Sequence, residues 1–369
     1  MADDLMARAE ALEATDTDGA RLLYREAVRI GIPQAAYRYG ELLLDLEEFD
    51  EAERVLRDAF SGGDLSCVHP LADVLVETGR ADEAVAALRR SFGAGDVRSA
   101  LHAAVILSDV LDDRREAESW YRRAIDAGDH RAKNDYASFL AEDPARYEEA
   151  ERLYRDAIAD GDDLALGNLG GLELDRENFT AAVRLLAQAL EGGNHKVLLQ
   201  LAEAEEGIGN LDRAEIHLEQ AVAHEIPGAR LARTNFRAAH RLSNTEEIER
   251  EYRAALADDE EDAAFYYALY LGDIGRVDEA IRLYLRAIEE GSDSAQNNVA
   301  LLYADCGKYD KAEHYFRQAI QFGQLNAALN YGMMLKRVGE HAKLADVVAE
   351  ARGLGATSQQ IAELLKDDS

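Results

Sequence analysis

The sequence predicts an all-α solenoid of stacked helix pairs, and three observations carry that prediction. Small residues form a ladder: Ala27, Ala59, Ser91, Ala124, Ala157, Ala189, Ala221, Ala255, Ala287, Ala319 and Ala351 follow one another in steps of 32 to 34 residues. A period of that length marks one supersecondary unit copied along the chain, here eleven times. Glycine stands four residues after most ladder positions, at Gly31, Gly63, Gly95, Gly128, Gly161, Gly193, Gly291, Gly323 and Gly355. Composition agrees: the chain is 47% hydrophobic, holds four Pro in 369 residues, and is rich in the helix formers Ala, Leu, Glu and Arg.

The first pair begins between Asp3 and Ala14, and the grammar of each later unit is clearest in residues 293–323. Val299, Ala300 and Tyr303 recur at helical spacing in the first half, and Ala312, Phe316, Ala319 and Ile320 in the second, which predicts two amphipathic helices, A then B. Gly307 separates them, Asp310 is expected to cap helix B, and Gly323 is expected to close it in the left-handed conformation. A small, bulky, small triplet marks helix B elsewhere too, as in Ala117, Tyr121 and Ala124 or Ala150, Tyr154 and Ala157. The small residues admit a neighbouring helix and the bulky one fills the space between. Gly63-Asp64, Gly95-Asp96, Gly128-Asp129 and Gly161-Asp162 each stop one helix and prepare the next. The copying falters between Glu225 and Asp262: Glu225 and Asp259 replace the closing Gly, Pro227 intervenes, and the step from Ala221 to Ala255 is the longest. A hinge and a tolerated insertion fit that stretch equally. The chain therefore divides into 1–224, 225–356 and 357–369, with Ser358 to Lys366 as a polar capping helix for the open end of the stack.

Seventy-three acidic against 41 basic side chains give a formal charge of -32, a field that repels nucleic acid and anionic lipid and attracts basic partners. Only seven of the basic residues are Lys. Cys67 and Cys306 lie seven ladder steps apart, so two free thiols and a reducing, cytoplasmic setting are expected. The opening Met1 to Ala7 lacks the basic-then-apolar order of a signal peptide, and no run of 18 apolar residues predicts a membrane span.

With its small, bulky, small helix B in nearly every unit, the chain resembles the tetratricopeptide repeat proteins along almost its whole length. Residues 120–137, from Trp120-Tyr121 through Gly128-Asp129 to Tyr136-Ala137, are also similar to Sel1-like repeats. The units are slightly short for the tetratricopeptide pattern and close helix B with Gly where Pro is usual, and they lack the longer Sel1 loop. The resemblance implies a right-handed superhelix of about eleven helix pairs whose A helices line a concave groove for peptides or partner helices. Against that implied groove, Asn134, Asn168, Asn298 and Asn330, with Gln200 in a related slot, are candidate ligand contacts, since an amide both donates and accepts. The same residues can instead brace the neighbouring helix. Tyr266, with Tyr37, Phe265 and Tyr267, is a candidate for aromatic contact area, whereas Tyr24, Tyr121, Tyr154, Tyr252 and Tyr284 read as core and Trp120 as half exposed.

Arg230, Arg233, Arg237 and Arg241 fall at i, i+3, i+7 and i+11, one stripe of a helix and the strongest basic feature of the chain. Such a stripe either grips a carboxylate or phosphate through forked hydrogen bonds or pairs with the acidic residues that follow it, among them Glu246, Glu251 and Asp258 to Asp262. No catalytic or metal-binding pattern stands out: the nine His never form His-Glu-x-x-His, and Gly167 to Gly171 lies inside a predicted helix A where small residues serve packing. His217 and His224 read as surface residues, and no cofactor is implied. The expectation is a non-enzymatic scaffold for a protein or peptide partner carrying basic residues, able to self-associate through its terminal repeats. The alternative is a regulatory solenoid that binds a small peptide or anion at the Arg stripe.

Overall fold

The computed structural model describes residues 2–366, with side chains from Leu5 onward, and these residues form 23 α-helices, three short 3-10 turns and no strand. The chain separates into two compact units, residues 1–200 and 201–369. The first contains α1 (Ala2–Leu12) with α2 (Thr17–Arg29), α3 (Ala35–Asp45) with α4 (Phe49–Ser61), α5 (Val68–Glu77) with α6 (Ala81–Gly93), α7 (Arg98–Asp109) with α8 (Arg114–Asp126), α9 (Ala132–Ala141) with α10 (Tyr147–Ala159), and α11 (Leu164–Asp175) with α12 (Phe179–Glu191). After α13 (Leu198–Gly207), whose range straddles the division, the second contains α14 (Leu211–Ala223), α15 (Ala229–Ala239) with α16 (Thr245–Ala257), α17 (Ala263–Asp273) with α18 (Val277–Glu289), α19 (Ser294–Asp305) with α20 (Tyr309–Gln321), α21 (Leu325–Val338) with α22 (His341–Gly353), and α23 (Ser358–Leu365). Counting α13 with α14, these are eleven A–B pairs and a closing helix, as the period of the sequence requires. The separation into units falls at 200/201, ahead of the irregular stretch that begins at Glu225.

All eleven B helices are 13 residues long, whereas the A helices run from 10 to 14. The ladder explains the fixed length twice over. Its side chains are buried in every repeat except at Ala59, which is half-buried, so a larger residue would meet a packed neighbour. Its carbonyl also receives the helix-closing bond: Asp129 N–H donates to Ala124 O at 3.0 Å, Asp162 to Ala157 at 3.0 Å, Gln324 to Ala319 at 3.1 Å, and the same bond recurs at all eleven positions. This is the six-to-one bond of a Schellman motif, which needs a left-handed residue one position before the donor. Glycine supplies it in nine repeats, from Gly31 to Gly355; Glu225 (φ 54°) and Asp259 (φ 49°) supply it in the other two. The irregular stretch therefore keeps the closing geometry and holds two side chains in a conformation that disfavours them.

The residue after the first small position of helix B ties many repeats to the next one. Glu118 accepts from Arg146 at 2.8 Å and from the Tyr136 hydroxyl at 2.8 Å, both in the following repeat, and from Arg122 on its own helix at 2.5 Å. Glu249 does the same with Arg276 at 2.5 Å, Tyr267 at 3.2 Å and Arg253. Glu53 is held by Arg80 and Arg57, each at 2.5 Å, and these guanidinium contacts pull its carboxyl down to about 2. In the first repeat the charges are exchanged: Arg21 stands in the Glu position and donates to Glu48 at 2.7 and 2.5 Å.

Several expectations about single residues need correction. Asp310 lies in the first turn of α20, whose N-cap is Lys308, and it forms no cap hydrogen bond. Trp120 is buried at 3% exposure, because Phe92 of the preceding repeat meets its ring edge-on at 5.6 Å and Arg123 covers it at 4.5 Å. Tyr267 is buried under the Glu249 clamp. His217 is also buried, with Nδ1 3.3 Å from Gln220 Oε1. The Gly-Asp pairs act as expected with one refinement: Asp64, Asp129 and Asp162 accept the backbone N–H two residues on, at 3.0 to 3.1 Å, and so shape the turn that precedes each helix A. No helix among the described residues is long and apolar enough to cross a membrane.

Candidate functional site

Neighbouring A helices meet through one recurring polar slot. Counted from the ladder residue of the preceding repeat, the tenth position on one helix A faces the eleventh position on the next. In the first unit Asn168 Nδ2 on α11 donates to Asn134 Oδ1 on α9 at 2.9 Å. In the second, Asn330 Nδ2 on α21 donates to Asn297 Oδ1 on α19 at 3.0 Å. The slot between α5 and α7 holds two imidazoles, His69 and His102, with Nδ1 atoms 3.1 Å apart. Asn134 is buried and Asn168 exposed, so that pair runs from the interior to the surface, whereas Asn297 and Asn330 are both half-buried.

Three of the residues proposed from sequence for this row occupy the slot differently. Asn298 stands at the eleventh position by that count, but the facing tenth position is Phe265; it accepts from Asn297 at 3.3 Å and is directed at the Tyr284 hydroxyl, a phenol that burial pushes up to about 12. Gln200 faces Gly167, which offers no side chain, and its Nε2 lies instead over Gly171, where an added Cβ would approach it to 3.0 Å. Tyr266 faces Leu231; it is half-buried, edge-on to Phe265 at 5.3 Å and 82°, and part of the apolar cluster around Leu231 and Tyr252. The glycines of α11 serve packing as expected, since a Cβ on Gly170 would come within 2.6 Å of Leu186. Asn297, His69 and His102 were missed in the sequence, where each looks like an isolated polar residue on a helix; the signal that finds them is their register against the ladder.

Beside the imidazole slot lies a cavity of about 300 Å³ lined by Arg98, Leu101, Val105, Arg131 and Asp135 together with both His. Burial raises the Asp135 carboxyl above its usual range. Arg98 and Arg131 occupy equivalent positions one repeat apart and stand 3.7 Å from Asp96 and 3.8 Å from Asp129, beyond hydrogen-bond reach.

The Arg stripe is drawn into ion pairs with its own unit. Arg230 meets Asp258 at 3.0 Å and Glu260 at 2.7 Å, Arg233 meets Glu251 at 3.6 Å, and Arg237 lies against Glu215 at 2.8 Å, Glu219 at 2.9 Å and Glu251 at 3.7 Å. Arg241 is not on the helix: α15 ends at Ala239, and Arg241 is exposed with φ 54°. The i, i+3, i+7 stripe thus has three members. Among the described residues no group of three His, Cys, Asp or Glu is placed to hold a metal ion, and Cys67 and Cys306 are both free thiols.

The family model described as tetratricopeptide repeat matches residues 294–325, the pair α19 and α20. No curated protein matches the chain in sequence. Among solved structures, yeast Tom70 is similar at 13% identity and a TM-score of 0.59, over 99% of this chain and 94% of that one. The human IFIT1 dimer with m7Gppp-AAAA is similar at 16% identity and a TM-score of 0.55, over 96% and 89%. At such identities the likeness concerns fold. Together with the matched repeat and eleven A–B pairs on one period, it gives this chain a tetratricopeptide-type repeat fold, with one repeat matched in sequence.

Proposed function

We propose that the protein is a non-enzymatic scaffold that holds extended segments of a partner protein along the A-helix faces of each unit, with the slot amides contacting the segments' backbone. The observation that carries this reading is the amide pairing itself. Asn168 and Asn330 each commit one N–H to the amide of the preceding repeat, which fixes the orientation of the group and leaves a carbonyl oxygen and a second N–H for another partner. A fixed donor beside a fixed acceptor matches a peptide backbone and spares most of the cost of ordering a side chain on binding. The charge of -32 favours a partner segment with basic side chains. It opposes a polyanion such as the m7Gppp-AAAA of the IFIT1 structure. The alternative of an anion held at the Arg stripe has less support, because Arg230, Arg233 and Arg237 already face carboxylates.

The test uses peptides selected from a random library on the immobilised full chain. Asn168→Ala and Asn330→Ala should each weaken the selected peptide by roughly fivefold to tenfold, about 1 kcal/mol, for loss of a neutral hydrogen-bonding group. Unchanged affinity in both variants, or loss confined to Arg230→Ser with Arg233→Ser and Arg237→Ser, would overturn the reading.

A further inference from the structure

A single small residue opens a hollow in the first unit. Counted back from the ladder, the fourth position of helix B is Trp120 in α8, and its ring meets Phe92, the residue just after the ladder Ser91 of α6, edge-on at 5.6 Å. Arg123, one position before the ladder, covers that indole at 4.5 Å. One repeat earlier the same three positions hold Ala87, Phe60 and Arg90. Ala87 is the smallest residue at its position in the eleven copies; the others run upward in size from Val55 to Trp120. With no ring on its own helix to cover, Arg90 lies over Phe60 of the preceding repeat, 5.7 Å from its centroid. The space that Trp120 fills beside Phe92 is thus, beside Phe60, part of an open cavity of about 610 Å³.

The cavity has an apolar floor and a basic rim. Leu71 and Leu75 of α5, both buried, line it with Phe60 and Ala87, and Arg57, Arg89, Arg90 and Glu83 stand around them. Three guanidinium groups against one carboxylate make the rim net positive in a chain of formal charge -32. Two of the three are already engaged: Arg57 donates to Glu53 at 2.5 Å and Glu83 at 3.4 Å, and Arg89 to Glu116. Arg90 is exposed, and among the described residues its one partner is the Phe60 ring. Its fork of N–H donors is therefore available to an anion that enters the cavity.

We propose that this cavity is a binding site for a small aromatic carboxylate, whose ring takes against Phe60 the place that Trp120 takes against Phe92, and whose carboxylate pairs with Arg90 at the rim. The ring follows from the chain's own precedent: an aromatic edge and a guanidinium hold an indole one repeat later, and both groups are present here without one. A small molecule follows from the volume, which lies in the range of small-molecule sites and leaves room for a short arm beyond the ring. The negative charge follows from the rim, which favours an anion and disfavours a cation of the same shape. The site is built from α4, α5 and α6 and uses none of the slot amides, so it does not depend on the scaffold reading.

Indole-3-propionate, indole and tryptamine carry one ring with an anionic arm, no arm and a cationic arm, and ligand-observed NMR with the full chain reads their binding. The carboxylate should bind with a Kd on the order of 1 mM, as suits a ligand of its size, with indole weaker and tryptamine weakest. Ala87→Leu installs the residue that Leu23, Leu153, Leu185 and Leu283 supply in other copies, and Ala87→Trp reproduces the next repeat; each should abolish binding while helical content is kept. Arg90→Gln changes an exposed side chain and should weaken indole-3-propionate by about threefold to fivefold with indole unchanged, a result that decides the matter if the Ala87 variants fail to fold. Undiminished binding in a folded Ala87→Leu variant, equal affinities for the three probes, or no binding of the carboxylate would each overturn the proposal. So would an Arg90→Gln variant that binds the carboxylate as the wild type does.

Discussion

At the scale of single residues, the ladder position serves twice, and only one of its roles is written in the side chain. The sequence shows that a small residue is needed at Ala157, because the equivalent position is Ala or Ser in all eleven copies. That the same residue's carbonyl closes the helix is a backbone fact, legible only through the Gly four positions later. Ala157→Leu should cost about 1–3 kcal/mol by overpacking, read as a lower urea midpoint for the first unit, while the closing bond survives. The left-handed Glu225 and Asp259 predict the opposite sign: Glu225→Gly and Asp259→Gly should each stabilise the second unit by about 1 kcal/mol, and denaturant midpoints that fall in both would contradict the strain. Trp120 and His217 escaped the sequence reading for a different reason. Their burial depends on what the neighbouring structure brings over them, such as Phe92, and no property of the residue itself records that.

Among the helices, regularity is unevenly shared. Helix B keeps 13 residues in every copy and is closed by the ladder bond, whereas helix A varies in length from 10 to 14 residues. The core triplets are legible in the sequence, but Asn297 and Asn298 are not told apart there: one residue turns a helical side chain by about 100°, and only the facing helix decides which of the two points into the slot. The clamps carry their own pH signature. The Glu53 carboxyl is lowered to about 2 by Arg80 and Arg57, so its contribution is complete above the ordinary value of 4.5 and fades as pH falls toward 2. Glu53→Gln should therefore cost about 1 kcal/mol at neutral pH and progressively less in acid, which paired urea titrations at the two ends of that window would measure. A cost that persists undiminished in acid would assign the clamp to packing and not to charge.

For the whole molecule, repetition made the architecture readable and left the partner unread. Eleven copies fix eleven pairs, and the polar face of each helix A varies from copy to copy, whereas the ladder and its closing turn belong to helix B. The proposed function rests on that variation, on the amides between α9 and α11 and between α19 and α21, and on the formal charge of -32. An acidic scaffold for a basic segment should lose affinity as salt screens the field, most steeply up to about 0.15 M where the Debye length has fallen to roughly 8 Å. The most direct measurement is amide hydrogen exchange of the full chain with and without a library-selected peptide. Binding along the helix-A faces predicts new protection in α9, α11, α19 and α21 that disappears with Asn168→Ala and Asn330→Ala; protection confined to the B helices, or to α15 and its Arg stripe, would contradict it.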